Sequence, residues 1–517
     1  MNRRLLLDYS KPGAITTAWA DRENFGASSR GNACRTFVLL LSIQLLTGCA
    51  VGPDYGSPSI ELPTRWSNAK ATKPPPAANL SHWWRRLKDP ILNALIEEAV
   101  DGNLDVARAK GRIREARATR RQAVGALFPQ VEGSGSATRN QASAVSAGGG
   151  TGTYNQFQAG FDASWELDLF GGNRRAVEAA SYGVEAAEDD LRATLLTLVG
   201  DVAAHYTEAR GYQARIALAR RTASSQRETA ALTQKKFDAG SSSAVDVAKA
   251  SAQAATTEAN IPTYETFYAD VAHRLGVLLG RDPTALTQPL RRSAPIPAPR
   301  LPLPTGIPAD VLVMRPDVRR AERQLAQYTA KIGQAEATLY PSVTLTGSVS
   351  TTGLKTGDLG KNSSIGWSFG PTVSVPIFNG GKLRAGVEIA EAQRDQYYIA
   401  WRTAVLSALE DVENAIVALA QERIRIQSLS KAAERYREAA RLSRSLYETG
   451  SSSFLDVLDA ERSLYTAEDT LLQSRVAIAA DYIALSKALG GGWNGAIDSS
   501  RPDVTDVNTG PHIPVSQ

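Results

Sequence analysis

A thiol is the one side chain in this sequence whose neighbours specify a reaction. Cys49 directly follows Leu46-Thr47-Gly48, behind an apolar run from Phe37 to Leu46 with Arg35 as its basic flank. A basic flank, about ten apolar residues and a small-residue cleavage site make an export signal too short to anchor in a bilayer. A cysteine placed immediately after it fits the bacterial lipobox, in which the thiol forms a thioether to diacylglycerol and then becomes the new N-terminus. That reading assigns lipidation to Cys49 and makes residues 1–48 a signal peptide with a long N-terminal extension. A chance cysteine behind an ordinary signal is the plainer alternative.

The other reactive side chains are dispersed. Cys34, the second of two cysteines, leaves with the signal, so no disulfide framework is expected. His82, His205, His273 and His512 show no ligand spacing. The acidic pairs Glu410/Asp411 and Asp189/Asp190 sit on helical patterns, where adjacent residues do not face each other. No Gly-Lys-Ser/Thr phosphate loop occurs. A net charge of +5, 43% hydrophobic residues and a mean hydropathy of −0.23 give no reason to expect nucleic acid as a partner. The expectation is a non-enzyme without metal or cofactor. No run approaches the roughly 20 apolar residues of a spanning helix, so a membrane crossing would need strands closed into a barrel.

The elements that position these residues come in two copies. Asn103-Leu104-Asp105-Val106 recurs as Arg315-Pro316-Asp317-Val318, and Leu127-Phe128-Pro129 as Leu339-Tyr340-Pro341. Leu169-Phe170-Gly171-Gly172 returns with one insertion as Ile377-Phe378-Asn379-Gly380-Gly381. Phe237 to Ser243 returns as Tyr447 to Ser453, and Leu275 to Gly280 as Leu485 to Gly490. A fixed order at a nearly fixed offset marks an internal duplication. The expected division is a lipid-anchored segment 49–90, repeat 91–280, a Pro-rich extended linker 281–308, repeat 309–490 and a loose tail 491–517.

Each repeat reads helix, strand, strand, long helix, turn, long helix. The first helix is expected from about Ile91 to Ala126, its counterpart from Asp317 to Leu339, and proline then ends each run. Strict alternation follows: Phe157, Ala159, Phe161, Ala163, Trp165 and Leu167 against Gln158, Asp162, Ser164 and Glu166. Period two over about ten residues suits a tilted barrel strand, and a half-buried sheet of a soluble domain shares the pattern. The connections Arg139 to Asn155 and Thr351 to Ile365 are rich in Gly and Ser, as external barrel loops are. The long helices keep a seven-residue beat: Tyr398, Val405, Val412, Leu419, Ile426, Ala433, Ala440 and Tyr447 in one, Val457, Leu464, Leu471, Ile478 and Leu485 in its return. Asn173 to Asp238 would span about 100 Å at 1.5 Å per residue, and Pro262 should kink the helix it lies in.

Several of these stretches together resemble the TolC-like outer-membrane factor (outer membrane efflux protein) family, in its lipoprotein branch with nodulation-type secretion proteins. They are Cys49-Ala50-Val51-Gly52-Pro53-Asp54-Tyr55, Trp83-Trp84 near Asp89-Pro90, Arg315 to Val318, Leu339-Tyr340-Pro341, the Tyr447 to Gly450 turn and Leu489 to Trp493. The resemblance implies a mixed α and β membrane protein: a trimeric twelve-stranded β-barrel, four strands per protomer, continued by a long α-helical periplasmic barrel. It implies a lipid-anchored outer-membrane exit duct reaching into the periplasm, working with a periplasmic adaptor (a membrane fusion protein) and an inner-membrane pump of the resistance-nodulation-division type. The tip turns would be Gly240 and Gly450, and the periplasmic gate Leu455, Asp459 and Arg462. Asp459 and Arg462, three residues apart on a helix, also suit an ordinary solvated pair. Val245, Lys249 and Ala252 hold the corresponding places in the first hairpin, so the two turns would seal unequally. A periplasmic helical-hairpin lipoprotein scaffold and an exit duct for type I protein secretion stay open as alternatives, and the cargo is not legible.

Overall fold

A computed structural model describes residues 50–63, 65–66, 80–141, 152–299 and 314–500. In chain order the elements are α1 (Pro90–Gly102), α2 (Leu104–Gly125), β1 (Gln130–Gln141), β2 (Thr153–Leu167), α3 (Gly172–Asp238) and α4 (Ala244–Leu278). Then come α5 (Pro316–Ala337), β3 (Ser342–Gly353), β4 (Ile365–Ser374), α6 (Lys382–Glu448) and α7 (Phe454–Ala488). Paired elements have equal lengths: 22 residues in α2 and α5, 67 in α3 and α6, and 35 in α4 and α7.

The single first helix expected from Ile91 to Ala126 is two helices, and Asn103 is the reason. Its backbone turns extended (ψ 133°), and its Oδ1 accepts from the N–H groups of Asp105 and Val106, capping α2. Its Nδ2 donates to the Leu278 carbonyl at 2.8 Å, tying the break to the end of α4. An asparagine that satisfies two orphan donors makes a strong start signal for a new helix. Pro262, expected to kink its helix, lies inside α4 without ending it.

The seven-residue beat becomes the buried seam of the long helices. Val405, Val412, Leu419 and Ala433 of α6 are buried, as are Leu195, Val202, Ala209 and Ala223 of α3. The main core gathers where Trp83, Trp84, α1, α3 and α7 meet. The tail is not loose as far as Ser500. Trp493 stacks on Trp84 with planes 6° apart, and Trp83 donates its indole N–H to the Gly491 carbonyl at 3.1 Å. The linker also departs from the extended chain expected. Leu286 and Leu290 are buried, and the Leu290 and Arg292 carbonyls accept from Gln213 and Arg210 of α3. Isolated leucines in a Pro-rich stretch supply no periodic signal, so only contact with α3 shows them to be core.

The four strands form one antiparallel meander in the order β1-β2-β3-β4. Pairing runs further into the first loop than expected, since Gln141 still pairs with Thr153.

Candidate functional site: sheet faces, N-terminal strap and hairpin tips

The register of the meander sorts its side chains into two unlike faces. Across one row lie Gly133, Phe161, Val349 and Trp367; across the next lie Val131, Ala163, Gly347 and Phe369. Shifting by one residue gives Glu132, Asp162, Ser348 and Ser368, then Gln130, Ser164, Thr346 and Gly370. One face is therefore apolar and the other polar across all four strands, as alternation with a period of two demands. The apolar face is uncovered: Trp367 is 79% exposed and Phe369 74%. The outer edges of β1 and β4 have no partner strand among the described residues. A sheet in this condition is unfinished, because its edges carry unpaired N–H and C=O groups and its aromatic face has no cover.

Below the sheet, the chain from Ala50 onward is strapped to the strand-to-helix joint. Val51 N–H donates to the Phe170 carbonyl at 3.1 Å. Arg175, only 4% exposed, donates to the carbonyls of Val51 and Gly52 and to the carboxylates of Asp54 and Glu178, all at 2.8–3.1 Å. Gly52 has φ +88°, and a Cβ there would lie 2.2 Å from Gly333 Cα, so only glycine fits between strap and α5. Tyr55 donates to Glu322 at 3.1 Å, and burial together with that carboxylate pushes its hydroxyl pKa above the ordinary tyrosine range. Cys49 itself lies outside the described residues. Sequence reasoning missed Arg175, since a lone arginine at a helix start gives no sign that its partners in the strap lie more than 120 residues earlier.

At the far end, both hairpins turn on glycine. Gly240 and Gly450 have φ +77° and +82°, and Ser241 and Ser451 donate back to the Lys236 and Leu446 carbonyls. Each return helix opens on a capping box: Ser243 with Asp246, Ser453 with Asp456. The serine hydroxyls hold both aspartates below their ordinary pKa.

The gate residues inferred from the resemblance lie near this tip. Leu455 is 61% exposed and Asp459 is exposed. No ion pair joins Asp459 to Arg462. The Arg462 guanidinium instead donates to Gln253 of the first hairpin at 2.5 Å. The solvated-pair alternative is thus replaced by a bond between hairpins. Other bonds cross the same gap: Arg444 to Ser225 at 2.8 Å, Tyr447 to Thr233 at 3.2 Å, and Thr229 to Glu461 at 2.8 Å. Glu461 is 9% exposed, and burial raises its pKa against the opposing Thr229 hydroxyl and Arg444 charge. Nothing in the local pattern had singled it out.

The acidic pair Asp189/Asp190 is a structural node. Asp189 meets Arg192 and Arg319, while Asp190 meets Arg112 and Arg320, which joins α2, α3 and α5. Burial acts to raise the Asp190 pKa, but the two guanidinium groups hold it below the ordinary value. No group of three or more potential metal ligands occurs among the described residues.

The family model for the outer membrane efflux protein matches the chain twice, over residues 95–281 and 307–491. Nodulation protein T of Rhizobium leguminosarum bv. trifolii is 38% identical over 459 residues, covering 87% of this chain and 96% of that protein. The solvent efflux pump outer membrane protein SrpC of Pseudomonas putida is 31% identical over 462 residues, covering 88% and 98%. Among solved structures, the outer-membrane channel OprN is similar at a TM-score of 0.81 with 35% identity, covering 86% of this chain and all of that one. The two-faced sheet with open edges, the paired long hairpins and the double family match agree: this chain belongs to the outer membrane efflux protein family, as one protomer of an outer-membrane efflux channel.

Proposed function

We propose that three copies close into a twelve-stranded barrel continued by a helical tunnel, and that the assembly is the passive exit duct of a tripartite export system. The observation that carries this reading is the sheet with one aromatic face, one polar face and two unpaired edges. Closure removes the edges, turns the apolar face to lipid and leaves the polar face on a water-filled bore. A periplasmic scaffold would leave Trp367 and Phe369 in water and gives the alternation no purpose.

In this reading the chain performs no catalysis; small molecules arrive from an inner-membrane pump, of resistance-nodulation-division type, through a periplasmic adaptor docked at the hairpin tips. Acylated Cys49 anchors the strap in the inner leaflet of the outer membrane. Strap docking beside Phe170 supports this, since it holds the first described residue, Ala50, at the joint below the sheet. The segments 91–280 and 309–490 act as two repeats of one unit, with Leu455, Asp459 and Arg462 of the second forming the gate.

Reconstitution into planar bilayers tests the duct. Discrete conductance steps, together with a gel band whose mobility changes on heating, are the expected outcome. A folded protein with no conductance and no heat-modifiable oligomer would overturn it. A Cys49→Ala variant that still incorporates labelled fatty acid would remove the anchor from the proposal.

A further inference from the structure

Charge on the meander is sorted by sign as well as by face. The strands carry four charged side chains, and three of them, Glu132, Asp162 and Glu166, belong to the polar face. The fourth, Arg139, pairs across from Asn155 and so lies on the apolar face, in step with Phe157 and Phe161. It is exposed, and no carboxylate is paired with it among the described residues. Its height matters, because a guanidinium on a lipid-facing surface costs most at mid-bilayer and least at the interface. From Leu167 to Phe157 the apolar face of β2 runs ten residues. That is about 33 Å along the strand, or about 25 Å of height once the strand tilts, the thickness of a barrel's apolar band. Arg139 stands in the next row out, at the end remote from α3 and the strap.

The β3–β4 loop, residues 354–364, folds over the same face. Gly360 N–H donates to Thr351 Oγ1 at 2.9 Å, and Thr351 shares the apolar row of Ala159 and Ile365. At Gly353, the partner of Phe157, an added Cβ would come within 2.7 Å of Asp358 Cβ. The loop adds two bases here: Lys361, ion-paired with Asp358 at 2.6 Å, and Lys355. Lys355 prolongs β3 in extended conformation, and one further step of the β2–β3 register sets it across from Asn155, the partner of Arg139. With neighbouring strands about 4.8 Å apart, the Arg139 and Lys355 backbones are about 10 Å apart, a gap that two long side chains close around one phosphate. Next to the loop lies a hollow of about 440 Å³, nearly all of its surface apolar, lined by Gly133, Ala159, Phe161, Val349 and Ile365 and by Gly360 of the loop.

We propose that these features form a binding site for a phosphate-bearing lipid of the outer leaflet, Arg139 and Lys355 taking the phosphate and the hollow taking an acyl chain. Position, sign and shape each point to that occupant. A free anion has no use for a hollow walled by Phe161, Val349 and Ile365. Uncharged lipid has no use for an unpaired guanidinium on the apolar face. An amphiphile with a negative head uses both at once, its chain running down from Asn155 towards Ala159 and Phe161, about 13–20 Å along β2. Small residues make the hollow, since a larger side chain than Ala159 would fill it.

This inference rests on the barrel reading above, which turns the apolar face to lipid, and heat-modifiable gel mobility reports that reading separately. The full-length protein, extracted from membranes and stripped of lipid by detergent exchange, is offered diphosphoryl lipid A, and native mass spectrometry counts the lipid retained. Arg139→Gln with Lys355→Gln is expected to retain about tenfold less than the unaltered protein, through loss of two cationic contacts to phosphate. Ala159→Phe, which keeps every charge, should also lower retention severalfold. Millimolar inorganic phosphate should leave the bound lipid in place. Equal retention by the doubly substituted and unaltered proteins, both heat-modifiable, would overturn the phosphate contact and leave the barrel standing. Unchanged retention in Ala159→Phe would overturn the acyl-chain hollow. Displacement by inorganic phosphate would make the site one for a free anion and overturn the lipid. Unaltered protein that is folded but not heat-modifiable would overturn the barrel and the lipid site together.

Discussion

Arg462→Ala tests whether the two hairpins of a protomer are latched to each other at the tip. The guanidinium on α7 donates to Gln253 of α4 at 2.5 Å, one of several bonds crossing between hairpins. A hydrogen bond to a charged group contributes about 1.5–3 kcal/mol when shielded, and solvent exposure here reduces that to about 1 kcal/mol. In a threefold ring whose protomers open together, three latches sum to about 3 kcal/mol. At tenfold per 1.4 kcal/mol, their loss raises the open-to-closed ratio roughly a hundredfold. Single-channel recording in planar bilayers reads this directly, as longer occupancy of the larger conductance level. Gln253→Ala should act in the same direction, and the double variant should add little, because both changes remove one bond. Unchanged occupancy in Arg462→Ala, or fully additive effects in the double variant, would refute the latch.

Further outcomes are expected from residues around this region and the strap. If Asp459 belongs to the proposed gate, Asp459→Ala removes a ring of three carboxylates, so cation preference should fall, read as a reversal potential moving towards zero in a salt gradient. Glu461 holds its proton above the ordinary glutamate range because it is buried. The folded state thus binds protons more tightly than the unfolded chain, and its stability falls as pH rises from the ordinary glutamate value through the raised folded one. Glu461→Gln should flatten that dependence in thermal melts of the helical signal at pH 4 and pH 7; an unaltered slope would exclude Glu461 as its source. Gly52→Ala forces a Cβ to within 2.2 Å of Gly333 Cα and should release the strap to limited proteolysis, while Gly56→Ala, with open space around it, should not.

Periodic features of the fold were legible because each is written locally. The heptad positions Val405, Val412 and Leu419 are buried to 1%, 0% and 6% exposure, and the residues alternating from Phe157 to Leu167 lie on one face of the sheet. Such patterns follow from 3.6 or 2 residues per turn of the backbone, whatever the partner. Glycines at Gly240 and Gly450 likewise declare their turns, since a positive φ favours a residue without Cβ.

What the sequence could not supply was the identity of partners. Asn103 splitting the first helix, Leu286 and Leu290 entering the core, and Trp493 closing on Trp84 all depend on distant segments. The same holds for Arg462, whose three-residue spacing from Asp459 on the helix suggested a pair, while its bond goes to Gln253, 209 residues away. A side chain's periodicity fixes the direction in which it points; only the packing of remote elements decides what it meets there. Polar groups, whose free energy turns on whether that partner is water, an amide or a charge, are therefore where tertiary structure had the final word.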